Sequence, residues 1–568
     1  MWHGRRWVGV ALSAAVAAIL CLGTFSQTLA ADAGSQALGW RLSGSIEAGG
    51  MWSAGEHSSS KFEDYRDMDN GFLGELYLKG EKNNSPYHFD IWAKNPARDD
   101  QAYEGAFGRY GTFLLDMGWN QVPHVLSNSA QTIFQESGGN FTLDPAQRAN
   151  IEANFNSGDR NLIAATIYGL GQHVDLAYNT NVGFVGLKLT PTEALRFNLE
   201  YNNRQNEGAR GTSATMAGSV ITELAIPLDQ TTHEARFMAE YAKPDFAIQF
   251  GYTGSFFQNE FRSYSWDNPV STVDTQARGE IGAAPENMAN TFSLTARGSL
   301  PWWRTNISGA ASYTMLRQDQ TFVNNVGAPG LVVTPTNADD AGKTSADAKA
   351  NLVSGSVLLT SRPVKNVTMT ARYRYFEYQN DTPTHSFTDT VAPDGDVLLG
   401  TTYTATLERY TRQNAGIDIG WRPIRQVSLK AGYAYEHWSR GDVDGKSFGT
   451  DEHIGRASVD WTPTNWFLGQ ATYTFGYRNL NGYGVDPQAG SGAGFLKFNY
   501  ADRVRNRADA LLQFARWETF TPSLNFGYAY DNFNNSAYGL TDDTNFSAGT
   551  SLGWTPPELA HPLGEFHV

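Results

Sequence analysis

Apolar and polar or small residues alternate along most of this chain, and prolines punctuate the alternation at uneven steps. The stretch "WRPIRQVSLKAGYAY" (Trp421–Tyr435) shows the unit. Ala415, Ile417, Ile419 and Trp421 lead into it; Val427, Leu429, Ala431, Tyr433 and Tyr435 lead out. A period of two predicts strands with one apolar face and one polar face. The unit returns at Pro191, Pro244, Pro301, Pro363 and Pro463, in a shifted form in "FARWETFTPSLNFGY", and at Pro556. Proline presets φ for a tight turn and cannot donate to a ladder, so each proline is read as the end of a hairpin. The other connections are long and polar, as in Asn380–Gly400. Short turns alternating with long loops is the asymmetry of an outer-membrane barrel, with the short turns periplasmic. The uneven spacing argues against a propeller or solenoid, whose repeat has a near-constant length.

Composition supports that reading. Hydrophobic residues are only 41% and mean hydropathy is −0.41, yet aromatics reach 13% and glycine numbers 57 among 568 residues. Past the N-terminus no stretch supplies the roughly 20 apolar residues of a spanning helix. Barrel strands need be apolar on one face only. Trp421, Trp461 and Trp554 each precede a turn proline by two residues, Trp302 and Trp303 follow Pro301, and Trp466 follows Pro463. Indole favours the boundary between hydrocarbon and water, so these six residues predict a membrane-interface girdle at one rim. The competing reading is a soluble β-sandwich capped by tryptophans.

The fold class is therefore all-β, a large transmembrane antiparallel up-and-down barrel of roughly 22–28 strands, the higher figures counting strands inside the long loops. The alternation turns Ile307, Ala311, Tyr313, Val367, Ala371 and Tyr373 to lipid. Arg297, Arg372, Arg374 and Asp418 face the lumen. So wide a barrel is not closed by its own side chains, and it holds water, a plug or another protein.

Residues 1–30 read as a secretory signal. Arg5 and Arg6 precede an apolar core, with small residues before a cleavage point after Ala30 or Ala31. A retained anchor is the alternative. Residues 31–568 form the barrel, with a distinct N-terminal region to residue 134 and the hairpin series beyond. A last strand is cut short in "LGEFHV". The one cysteine, Cys21, lies in the signal core. Leu20 before it is not the small residue a lipoprotein signal needs. The mature chain then has no disulfide and no C-x-x-C-H for a covalently held c-type haem. The net charge of −15 disfavours nucleic acid.

The N-terminal region has a different texture. Polar clusters at 61–71 and 95–105 and the longer run 108–134 break up its strands. Its residues carry a resemblance: Phe62, Tyr65 and Arg66 ahead of Gly71; Arg98, Asp99, Asp100 and Gln101; and Tyr110 and Gly111 followed by Asn120, Gln121, Val122, Pro123 and His124. In these about 75 residues the chain resembles the MtrB/PioB family of outer-membrane barrels associated with decahaem cytochromes. Beyond them only the architecture agrees. The resemblance implies an insulating sheath around a periplasmic multihaem c-type cytochrome, through which electrons cross the membrane. The haem is carried by that partner. An outer-surface electron-transfer protein and membrane lipid are further implied contacts. Some relatives carry an N-terminal C-x-x-C that this chain lacks, so thiol-dependent maturation is not expected. A general or substrate-specific porin is the alternative, and an outer-membrane protease or lipase the third reading.

Catalytic candidates are weak. Asp99 and Asp100 with Asp116 suggest paired carboxylates, yet no acid–base partner converges on them, and loop charge is the plainer reading. The histidines are scattered without ligand spacing. Ser127 and Ser129 near His124 lack a nucleophile motif. Asp339-Asp340 and Asp542-Asp543 lack the spacing of a calcium loop. Arg98, Arg109, Arg297, Arg372 and Arg374 suit haem propionates or lipid phosphates, and equally plain solvation.

Overall fold

The computed structural model describes residues 35–37, 39–52, 60–156, 158, 160–216, 220–270, 278–323, 344–391, 397–443, 446–483, 496–516 and 519–554. The signal segment, Asp339-Asp340, the unit at Pro556 and "LGEFHV" lie outside them.

The alternating stretches are strands. One sheet of 21 strands runs in chain order, each strand antiparallel to its neighbours. The first, Ser35–Ala37, has only three residues. The others run from 8 residues, as in Tyr87–Lys94, to 24 in Val220–Lys243. The described residues hold 27 strands in all. The six outside the wall form a four-stranded and a two-stranded sheet within the long connections. Loop strands satisfy their backbone groups with one another, so they add to the strand count without widening the wall.

The wall is open. Trp40–Met51, apart from the short stretch covered by Ser35–Ala37, and Asp542–Trp554 are its two edges. In an up-and-down sheet with these connections the two edge strands run in opposite senses.

The prolines sit differently from expectation. Pro423 and Pro463 are not in the turns. The turns lie between Ile424 and Val427 and between Thr464 and Phe467, one step further on. Each proline occupies a register shift, between Trp421 and Ile424 or between Trp461 and Thr464. Pro191 likewise falls where the register slips between the Phe197–Leu189 and Leu195–Thr192 pairs. The reason is the missing N–H: a bulge is a place where a strand needs no ladder donor. Pro522 lies inside a strand, near its start. Pro244 and Pro301 do occupy turns.

The two rims differ as expected. At one rim the connections are short, as between Lys82 and Tyr87, Arg109 and Phe113, and Lys243 and Phe246. At the other they carry whole segments, such as 133–171 and 260–286. Two connections there depart from the pattern: the ladders close at Met216–Val220 and at Val443–Lys446. Protease added to intact cells is expected to cut within the long-loop rim, for example around Thr382–Pro383, and to spare the short turns. Cuts at Arg425 or Asn465 instead would invert the orientation.

A small folded cap stands on the long-loop rim. Its core gathers Phe134, Phe141, Leu143, Ile151, Trp266 and Val270 with Leu224 and Ile226 from the wall hairpin. Two helices, Pro145–Asn156 and Arg160–Leu170, pack on it through Phe155, Ile167 and Leu170. The alternating pattern predicts no helix there, although a start signal is present. Asp144 accepts from the amides of Ala146 (2.9 Å) and Gln147 (3.2 Å), and proline fills the first helical position.

Candidate functional site

The wall presents two surfaces of opposite chemistry. On the outward face, large apolar side chains stand in the open: Phe250, Leu294, Val357, Ile417, Ile419, Val459, Phe475 and Phe526 are all exposed. A continuous exposed apolar band is the signature of a surface solvated by lipid.

Both margins of the band are marked. Trp421 pairs with Leu429, Trp461 with Val427 and Trp554 with Phe520, all beside the short-turn rim. Trp302 and Trp303 form the turn between Leu300 and Thr305. Trp466 lies in the turn before Phe467, under the Arg516 guanidinium at 5.3 Å. The six tryptophans therefore share one rim, and all but Trp466 are at least half exposed. Toward the other margin stands a row of tyrosines whose hydroxyls meet polar side chains. Tyr252 donates to Asn290 (2.8 Å), Tyr373 to Gln413 (3.1 Å) and Tyr473 to Asn506 (2.7 Å), and Tyr433 pairs with His453 (2.6 Å). Val427 and Tyr435 lie eight residues apart, which at a rise of about 3.3 Å and a tilt near 40° spans roughly 20 Å of membrane normal. That matches a band about 25 Å tall.

The inward face is polar. Hydroxyl ladders cross it, as in Thr291 with Thr314 (2.9 Å) and Ser312 with Ser354 (2.7 Å). Ion pairs cross it too. Arg505 grips Asp531 through Nε and Nη2 (2.7 and 2.6 Å), Lys430 meets Asp460 (2.7 Å) and Arg412 meets Glu436 (2.7 Å). Of the three expected lumen arginines, Arg372 is held by Asp418 within this chain, while Arg297 and Arg374 are exposed.

Tertiary structure brings most of the N-terminal motif residues together. Tyr87–Lys94 and Ala102–Arg109 have only eight residues each, so the long-loop rim dips there. The next strand, Phe113–Thr132, rises far past them, because its pairing to Ala102–Arg109 ends at Asn120. Its upper edge therefore needs partners. Gln121 donates its amide to the Gln101 carbonyl (2.9 Å), Tyr65 donates to the Pro123 carbonyl (3.0 Å), and Ser60 Oγ donates to the Leu126 carbonyl (3.3 Å). Side chains lock the same seam. Gln101 Nε2 donates to Gln121 Oε1 (3.0 Å) and Tyr103 donates to Gln101 (2.9 Å). The Tyr65 ring meets His124 edge-on at 5.1 Å, and His124 stacks on Tyr178.

Arg98 is the hub. It is 7% exposed and donates through Nη2 to the Asp67 carbonyl (2.7 Å), Asp67 Oδ1 (2.8 Å) and the Asp69 carbonyl (2.9 Å). The Asp99 amide donates to Asp67 Oδ2 (3.0 Å), and Asn95 donates to Asp100 (3.1 Å). A Cβ on Gly71 would lie 2.8 Å from Arg98 Nη1, which explains a glycine at that point. Burial raises the Asp99 carboxyl above the usual aspartate range, and the charges of Asp67, Asp69 and Asp100 add to it. Arg66 is exposed beside the cluster.

Tyr110 and Gly111 do not join. They form the short turn at the opposite rim, where Tyr110 donates its amide to the Pro86 carbonyl (3.0 Å) and its ring stacks on His88 at 4.0 Å. Gly111 has φ +72°, a left-handed position suited to glycine.

The catalytic candidates do not converge. Asp116 lies on the inward face against Gly186, on the Phe113–Thr132 strand, while Asp99 and Asp100 belong to the Arg98 cluster. Ser127 accepts from the Ser129 amide (3.2 Å), and His124 faces two tyrosine rings. Among the described residues no group of histidines and carboxylates is arranged to hold a metal, and no helix is long and apolar enough to cross a membrane.

Comparison with known proteins finds a relative along most of the chain. Outer membrane protein MtrB of Shewanella baltica (strain OS185) is 23% identical over 541 residues, covering 93% of this chain and 73% of that protein. Among solved structures, the ferric citrate transporter FecA in its unliganded form has a TM-score of 0.41 at 10% identity, covering 90% of this chain and 71% of that one. The ferric yersiniabactin uptake receptor FyuA from Yersinia pestis has a TM-score of 0.38 at 10% identity, with coverages of 90% and 72%. A profile of outer-membrane β-barrel porins matches residues 55–561, nearly the whole of the described wall. With its exposed apolar band and hairpin series, the chain is an outer-membrane protein of the MtrB/PioB β-barrel family.

Proposed function

We propose that this protein is the outer-membrane sheath of an electron conduit, holding and insulating a multihaem c-type cytochrome. One observation carries the reading: the inward face of a wall of 21 strands is polar and leaves charged side chains such as Arg297 and Arg374 exposed. A barrel this wide is not filled by its own side chains, so the lumen is built to hold something. Membership of the MtrB/PioB family, with the cytochrome association it implies, supports a protein guest. The chain does no redox chemistry in this reading. The haems sit on the partner, and the barrel positions and insulates them. An outer-surface redox protein would meet the conduit at the long-loop rim.

Reconstitution tests it. Purified from its native membrane, the protein is expected to co-elute with a haem protein. Liposomes holding the complex should reduce an external acceptor from an internal donor, and the barrel alone should not. A haem-free, stable barrel that passes sugars at porin-like rates would sink the sheath and establish the open pore.

A further inference from the structure

The outward face carries a groove that the conduit reading does not use. It lies across three neighbouring strands, Val427–Val443, Lys446–Thr464 and Phe467–Asn481. Tyr433, Tyr435 and Tyr477 form its walls, and His453, Asn479 and Asn481 surround Asp451 within it. On the short-turn side of the groove the same face is apolar, with Leu429, Ala431, Ala457, Val459 and Ala471. Gly455 is paired with both Tyr433 and Phe475, and no atom lies within 4 Å of where its Cβ would be. The groove therefore has a polar upper part and a notch that opens down onto the apolar band.

The polar part is arranged. Asp451 receives Tyr435, His437 (2.7 Å) and Asn481 (2.5 Å), so its charge is spread over three donors. Tyr433 holds His453 at 2.6 Å, and the Tyr435 ring packs on that imidazole at 5.1 Å. Asn479 donates to Asn481 (2.9 Å). The lining includes no lysine or arginine. Aromatic faces beside planar amides and an imidazole suit a ring bearing many hydroxyls: the faces cover its C–H surface, and the amides exchange hydrogen bonds with its oxygens. Without lysine or arginine, the lining is not built for a bare anionic headgroup.

We infer that this groove binds the sugar headgroup of an outer-leaflet glycolipid, with the acyl chains passing through the notch at Gly455 onto the apolar band. The inference rests on the reading that the long-loop rim faces outward.

The test is native mass spectrometry of the detergent-solubilised protein with three probes: an acylated glucosamine disaccharide from which the phosphates have been removed, the same disaccharide without acyl chains, and phosphatidylethanolamine. The acylated disaccharide is expected to be retained selectively. Tyr477→Ala combined with Asn479→Ala should lower its retention roughly tenfold. Gly455→Trp, which leaves the polar groups in place and fills the notch, should do the same. Tyr313→Ala, in the same tyrosine row on a distant strand, should leave retention unchanged. Unchanged retention in both groove variants, or equal retention of phosphatidylethanolamine, would overturn the proposal. Equal binding of the acyl-free disaccharide would identify a free-sugar site instead. Because the assay is done in detergent, a failure of the orientation shows only in the protease experiment, and a failure of the groove only here.

Discussion

Replacing Arg98 by alanine is expected to destabilise the assembled protein by about 3–5 kcal/mol, the cost of breaking a buried ion pair from one side. Arg98 is the cation inside a shell of Asp67, Asp99 and Asp100, and it also ties down the carbonyls of Asp67 and Asp69. Without it Asp67 and Asp100, themselves largely buried, face each other with no countercharge. The loss should appear as a lower urea midpoint for the barrel refolded in detergent, with an unchanged slope. Arg98→Lys should recover only part of it, since one ammonium does not span two carbonyls and a carboxylate with the guanidinium's fixed geometry. A loss under about 1 kcal/mol would mean that the cluster is no stronger than a surface ion pair.

Asp99 gives the same cluster a pH signature. Its folded-state carboxyl lies above the ordinary aspartate range, from burial first and neighbouring carboxylates second. The folded chain therefore holds this proton more tightly than the unfolded chain does. The contribution of Asp99 to stability then falls as pH rises through the aspartate range. Asp99→Asn should raise the urea midpoint slightly at neutral pH and change little at a pH where the carboxyl is protonated in both states.

The second large effect concerns the two faces. Ile417→Arg is expected to cost about 2–4 kcal/mol, the depth-dependent penalty of arginine on a lipid-facing position near mid-bilayer. Ile417 lies four residues from Trp421 on its own strand and pairs with Ala371 and Tyr433, whose hydroxyl reaches on toward the long-loop margin. Ala310→Arg serves as the comparison. Ala310 is exposed on the inward face, between Thr295 and Ser356, and should lose no more than about 0.5 kcal/mol, as surface changes do. Urea unfolding of both variants in liposomes reads the difference. Equal losses would mean that inside and outside have been exchanged or that the band does not meet lipid.

The chain's alternation was enough to sort its side chains. Ile417, Tyr373 and Val459 face outward, and Arg374 and Asp418 inward, because a strand turns each successive side chain to the other face, whatever the rest of the fold does. The rim of tryptophans followed for the same reason: each sits a set number of residues from its own turn. These are local properties, and a period of two carries them.

What the sequence left open depends on partners distant along the chain. Three prolines stand in bulges beside the turns, a placement decided by which neighbouring strand supplies a register slip. The helices Pro145–Asn156 and Arg160–Leu170 were missed in a region read for its hairpins, although Asp144 and Pro145 announced the first. The motif residues could be seen to belong together, but not why. Only the tertiary fold sets two eight-residue strands beside one of twenty, and so creates an edge that Tyr65 and Gln101 satisfy and a corner that Arg98 closes. The same fold sends Tyr110 and Gly111 to the far rim. Strand length and neighbour height are relations between segments, and no single segment carries them.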